Sequence, residues 1–222
     1  MLEHKVCVVT GGAGVLGQAV AQTAKSYGAE VVLLDIVAEF ESGLGRYVQV
    51  DLTNAEAVSQ ALTEIGRIDV LANIAGGFDM GPTVYDTEDE LWERMFEINV
   101  TTLRRMVRHA VPLMVQQGRG SIVNVGAAGA LKGTGHMGAY TAAKATVMRI
   151  TEALSEEVKH AGVNVNAVLP SLIDTPRNRE DMPDADFATW VSPKDLAEVV
   201  CFLGSDRASV IHGALVPVTG LL

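Results

Sequence analysis

The sequence predicts a doubly wound α/β fold, a parallel sheet of about seven strands with helices on both faces. Three observations predict it. Short runs rich in Val, Ile and Leu recur along the chain, longer stretches of helical periodicity stand between them, and a Gly-rich turn follows directly on the first run. The runs are continuously apolar instead of alternating, as strands covered on both faces should be.

In order, strands are expected near 5 to 10, 30 to 35, 46 to 50, 68 to 73, 120 to 126, 163 to 168 and 214 to 218. Val15, Leu16, Ala19, Val20 and Ala24 make the apolar stripe of the first helix. Leu91, Met95, Ile98, Leu103, Met106 and Val111 make another, with a kink or interruption expected near Pro112. Residues 36 to 46 leave little room between the second and third strands, so the helix there should shrink to a turn or two. From 174 to 191 the chain is polar and Pro-bearing with no sustained period, and reads as a mobile substrate loop near the site.

The 222 residues are 48% hydrophobic and 20% charged, which suits one domain spanning 1–222. Net charge is -10 and no Lys/Arg cluster exceeds Arg104-Arg105, so nucleic acid is not an expected partner. Cys7 and Cys201 lie in different apolar segments, which points to two buried thiols in a reducing cytoplasm and to no metal site. No apolar run is long enough to span a bilayer, and no membrane partner is expected. The apolar helical stretches around 91 to 116 and 139 to 160 carry Met, Val and Ile that look exposed, so a homodimer or homotetramer is expected.

The turn Thr10-Gly11-Gly12-Ala13-Gly14-Val15-Leu16-Gly17 opens the first helix, where N–H groups and the macrodipole can hold a pyrophosphate. Asp35 closes the second strand at the separation expected of a carboxylate that hydrogen-bonds an adenosine ribose. That carboxylate would repel a 2′-phosphate, which favours NAD(H) over NADP(H). Its plainer alternative is an Asp closing a turn. Tyr140 and Lys144 stand one helical turn apart, so phenol and ammonium project from one face. A cation beside a tyrosine favours its phenolate, as a proton-transfer residue would need. The alternative is a pair of ordinary surface neighbours.

With Asp51-Leu52, Asn73-Ile74-Ala75-Gly76, Asn99, Ser121-Ile122-Val123-Asn124 and Tyr140-x-x-x-Lys144 in this order behind the glycine turn, the chain resembles the short-chain dehydrogenase/reductases over its whole length. The resemblance implies a Rossmann-type fold and NAD(P)-dependent oxidoreduction of a small-molecule substrate. It implies that Gly11, Gly14, Val15, Leu16 and Gly17 hold the cofactor, that Asp51 and Leu52 flank the adenine, and that Asn73, Ala75 and Gly76 pass beneath. Pro170 to Thr175, with Ile173, would close over the nicotinamide. Tyr140 would be the general acid/base, Lys144 would lower its pKa and grip the ribose, and Asn99 would hold a water in a proton relay. Asn99 also reads as a satisfied packing amide.

Two positions depart from the family pattern. Val15 stands where a glycine is common, so the glycines fall at 11, 14 and 17. The serine that usually orients the substrate oxygen, 13 residues before the tyrosine, is Ala127. The segment GAAGALKGTGHMGAYTAAK and the stretch LIDTPRNREDMPDADFATW share this departure with dihydropteridine reductase, whose resemblance implies NADH-dependent reduction of a quinonoid dihydropterin. Two alternatives stay open: a short-chain carbonyl or 3-oxoacyl-type reductase, and a dinucleotide-binding sensor or scaffold with weak catalysis. Arg177, Arg179, Phe187 and Trp190 are candidates for substrate contact, or for anchoring the loop.

Overall fold

The computed structural model describes residues Met1–Leu222. Seven strands form one parallel sheet: β1 (Val6–Thr10), β2 (Glu30–Asp35), β3 (Arg46–Gln49), β4 (Val70–Asn73), β5 (Gly120–Val125), β6 (Val163–Pro170) and β7 (Leu215–Val218). Their order is β3-β2-β1-β4-β5-β6-β7, with every pairing parallel. Successive strands are added outward on one side of β1 up to β3 and then on the other side from β4, and a crevice opens outside the carboxyl ends of strands at such a switch point.

Seven helices cover the sheet: α1 (Val15–Ser26), α2 (Ala55–Ile65), α3 (Asp89–Phe96), α4 (Thr102–Gln117), α5 (Gly138–Val158), α6 (Pro176–Asp181) and α7 (Pro193–Leu203). Alternation along β1 divides the core, because successive side chains leave a strand on opposite faces. Cys7 and Val9 join Val20 and Ala24 of α1 and Leu196 and Val200 of α7. Val6 and Val8 join Leu62 of α2 and Met106 and Met114 of α4. Both cysteines are free and buried, Cys7 at 1% exposure and Cys201 at 2%.

Three expectations change. No helix forms between β2 and β3; the connection crosses as coil, tied back by the Tyr47 hydroxyl donating to the carbonyls of Asp35 and Val37. Ten residues with two glycines leave too few positions to pay nucleation. Pro112 sits inside a continuous α4 and the interruption falls earlier, at a π-helical turn over Glu97–Thr101. There the Asn99 side chain donates to the Met95 carbonyl four residues back at 3.0 Å, a local bond that competes with the helical ladder. The segment 174 to 191 is also more ordered than its composition suggests. Thr175 caps α6 by accepting from the Asn178 N–H at 3.2 Å, Phe187–Thr189 form a 3₁₀ turn, and Ile173 bridges to Val191.

The long helices bury most of the apolar residues that look exposed in sequence. Met95, Met106, Met114, Val147 and Met148 are core, and Val115 is the one large hydrophobic on α3, α4 and α5 that is exposed. No helix is long and apolar enough to cross a membrane.

Candidate active site

A cleft of about 1230 Å³ lies across the carboxyl ends of the strands. Its floor at one end is the turn between β1 and α1. Gly11 holds a φ of +65°, and a Cβ there would stand 3.0 Å from the Ala75 nitrogen, so the turn and the end of β4 approach as closely as only glycine allows. A Cβ at Gly17 would run into the Gly11 carbonyl. Thr10 locks the two strand ends, its hydroxyl accepting from the N–H groups of Ile74 and Ala75 at 3.0 Å each. The first turn of α1 has no capping side chain and no acidic residue, so its N–H groups and dipole are left for an anion in the cleft.

Gly14, Val15, Leu16 and Gly17 all line this end, and so does Asp35. Asp35 Oδ2 accepts from the Ala13 N–H at 2.9 Å and Oδ1 from the Ile36 N–H at 2.7 Å, which fixes the carboxylate beside the glycine turn. These features fit a dinucleotide: a side-chain-free cradle, a helix N-terminus and a ribose-length carboxylate. Asp51, Leu52 and Asn73 do not line the cleft. Asp51 accepts from the N–H and hydroxyl of Thr53, which hold its carboxyl below the usual range, and Leu52 is buried core. Asn73 donates to Asn124 Oδ1 at 2.8 Å, Asn124 donates to Thr151, and Asn73 Oδ1 is buried without a partner.

Tyr140 and Lys144 enter the other end from the first two turns of α5. Lys144 is 6% exposed and donates to the Val125 carbonyl at 2.9 Å. Burial pushes its ammonium down to about 8. Burial likewise pushes the Tyr140 phenol up to about 12. Lys144 was expected to lower the tyrosine's pKa; in the free protein burial is the one cause that acts on the phenol, and it keeps the phenol protonated. Asn99, 2% exposed, stands directly behind. A Cβ on Gly76 would lie 2.6 Å from Asn99 Oδ1 and 3.3 Å from Lys144 Nζ, so the two side chains converge on that glycine.

Ala127 lines the cleft and is 5% exposed, packed against Tyr140 with Ala130 and Met148. Neither candidate on the following loop supplies the missing donor: Thr134 is turned back toward the Gly129 carbonyl, and His136 Nδ1 lies 2.9 Å from the Gly81 carbonyl. Pro170, Ile173 and Thr175 close the cleft from β6 and the segment after it. Arg177 reaches the rim and pairs with Asp181 at 3.1 Å. Arg179 grips Asp174 through two bonds of 2.5 and 2.7 Å and lies over the Phe187 ring, which packs on Trp190. Arg179, Phe187 and Trp190 therefore anchor this segment and do not line the cleft. Sequence reading missed Phe78 and Met80 on the opposite wall, which no chemical motif marks.

A parallel sheet with a glycine turn at its switch point, and a partly buried tyrosine beside a buried lysine at the far end of the same cleft, define the class of dinucleotide-binding α/β proteins. Residues 5–186 match the family described as short chain dehydrogenase. The chain is 32% identical to the short chain dehydrogenase adrF of Penicillium rubens, covering 98% of this chain and 96% of that one. It is also 32% identical to the 3-alpha-(or 20-beta)-hydroxysteroid dehydrogenase of Mycobacterium bovis, over 99% and 89%. A solved short chain dehydrogenase/reductase family protein superposes with a TM-score of 0.92 at 30% identity, over 99% and 97% of the two chains. The chain belongs to the short-chain dehydrogenase/reductase family, whose members are NAD(P)-dependent oxidoreductases. These relatives point to the family as a whole and not to its dihydropteridine reductase branch.

Proposed function

We propose that this chain reduces a carbonyl substrate with NADH, Tyr140 giving the proton. One observation carries the reading: a partly buried Tyr140 that keeps its proton opens on the same cleft as the glycine turn, with Lys144 and Asn99 behind it. A nicotinamide bound in this cleft would supply the hydride. The phenol donates to the oxygen of the reacting carbonyl as negative charge develops there. Lys144 offers the one buried cation near that charge, against the phenolate left behind and the ribose hydroxyls. Asp35 reads the adenosine ribose and disfavours a 2′-phosphate, which is the ground for NAD(H) over NADP(H). Asp51, Leu52 and Asn73 then act from outside the cleft wall, on the strand ends that frame the adenine.

The hydroxysteroid dehydrogenase among the relatives favours an alcohol or ketone substrate. A second reading, reduction of a quinonoid dihydropterin, is favoured by Ala127 alone: an electron-poor conjugated acceptor needs no serine-held alkoxide. Assaying the purified protein with NADH against a ketone panel and a quinonoid dihydropterin separates the two. Tyr140→Phe should lower turnover by about 10²–10⁴-fold with NADH affinity unchanged. A fully active variant would remove Tyr140 from the chemistry.

A further inference from the structure

One wall of the cleft includes a short strap, Gly77 to Gly81, and it is held at three points. Gly77 is gripped by Asn99, whose Oδ1 accepts from its N–H at 3.2 Å and whose Nδ2 donates to its carbonyl at 3.1 Å. Asp79 forms an ion pair with Arg94 of α3. Gly81 exchanges two bonds with His136: its N–H donates to the His136 carbonyl at 3.0 Å, and the His136 Nδ1–H donates to its carbonyl at 2.9 Å. Both ends of the third clamp sit at positive φ, +141° for Gly81 and +63° for His136, the latter a conformation that side chains rarely adopt.

Between these clamps the side chains alternate. Asp79 turns outward to Arg94 while Phe78 and Met80 line the cleft. Phe78 meets the Tyr140 ring edge to face, with centroids 4.8 Å apart and planes at 82°. Both residues are more than half exposed, Phe78 at 55% and Met80 at 53%, so large apolar side chains are held open to solvent beside the reacting group. Met137 and Met182 also line the cleft, and Ala127 and Ala128 supply small hydroxyl-free groups. Aromatic rings and thioethers favour a π-faced partner beyond its apolar area.

Resting on the carbonyl-reductase reading, we propose that Phe78 is the specificity-determining residue, and that the substrate class is a ketone carried on a flat aromatic or conjugated ring. The strap presents Phe78 already in place, so the ring is received without an ordering step.

The test compares two acceptors of equal carbon number with NADH, 2-acetylnaphthalene and 2-dodecanone, in the wild type and in Phe78→Ala, Phe78→Leu and His136→Ala. The readout is the aryl-to-alkyl ratio of kcat/KM, which cancels losses of folded protein and any general effect on Tyr140. Phe78→Ala should lower the ratio about tenfold, the worth of one aromatic contact. Phe78→Leu, which keeps bulk without a π face, should lower it too, and His136→Ala should lower it with Phe78 intact. An unchanged ratio in both active Phe78 variants overturns the assignment of Phe78 and leaves the carbonyl reading standing. NADH binding with neither ketone reduced overturns the carbonyl reading beneath it.

Discussion

Asn99 holds Gly77 by both of its backbone groups, accepting from the N–H at 3.2 Å and donating to the carbonyl at 3.1 Å, while also donating to the Met95 carbonyl. One amide therefore joins the π-helical turn before α4 to the strap that carries Phe78. It presents both an acceptor and donors, which no carboxylate can do.

Asn99→Asp should on that account cost more than its size suggests. The carboxylate still accepts from Gly77 but leaves the Gly77 and Met95 carbonyls unpaired, and misplaces the groups around Tyr140. We expect kcat to fall on the order of a hundredfold. Thermal unfolding should come earlier, by about 1–3 kcal/mol for the buried groups left unpaired. Wild-type kcat and Tm together would show that the double grip is dispensable.

Asp35→Ala removes the acceptor for the Ala13 N–H and, on the proposed reading, the carboxylate that faces the ribose. NADH should bind more than about tenfold more weakly, a charged hydrogen bond lost, while NADPH loses little or gains. Fluorescence titration with both nucleotides gives the comparison. An equal loss for the two would take Asp35 away from the ribose.

Lys144 bears on stability as well as catalysis. Its pKa falls from 10.5 to about 8 on burial, so between those values the unfolded chain holds more protons than the folded one. The Lys144 contribution to stability therefore rises as pH climbs from about 8 to 10.5, the cost of the buried charge being present in full below that window. Lys144→Met removes a cost of about 3 kcal/mol at pH 7 and orphans the Val125 carbonyl at about 1 kcal/mol. The variant should be inactive yet melt about 4–8 °C higher at pH 7, and its stability advantage over the wild type should shrink as pH climbs across that window. Calorimetry across pH measures both, and a lower Tm at pH 7 would contradict the burial cost.

Ala127→Ser restores a hydroxyl on the cleft wall next to Tyr140. If a ketone is the substrate, kcat should rise on the order of tenfold or more, since a donor for a developing oxyanion is gained. No rise, with the protein folded, would favour an acceptor that needs no such donor.

Much of the architecture was legible because it is written locally. Each strand declared itself as an apolar run, and β2 was bounded to the residue. Tyr140 and Lys144 share a face because a helix turn separates them, and Gly11, Gly14 and Gly17 were marked by their place after β1. The misses share the opposite property. Residues 36 to 46 formed no helix because tertiary ties to Tyr47 replaced it. The break before α4 was drawn to Pro112 because proline is a visible breaker, whereas an amide bonded to its own helix is not. For Arg179 and Phe187 substrate contact and loop anchoring were both open in the sequence, and the contacts with Asp174 and Trp190 decide for anchoring.

By itself the sequence determined the strand order of events along the chain, the cofactor turn, the Tyr140 and Lys144 pair and the absence of a hydroxyl at 127, since each depends on neighbours within a turn or a strand. The tertiary structure alone decided that Asn99 grips Gly77, that His136 clamps Gly81, and that Phe78 stands over Tyr140. These partners are 22, 55 and 62 residues apart, shown by Asn99 and Gly77, His136 and Gly81, and Phe78 and Tyr140. No local pattern encodes such a meeting. The sheet brings them together at one edge, and burial then sets the protonation of the tyrosine and lysine they surround.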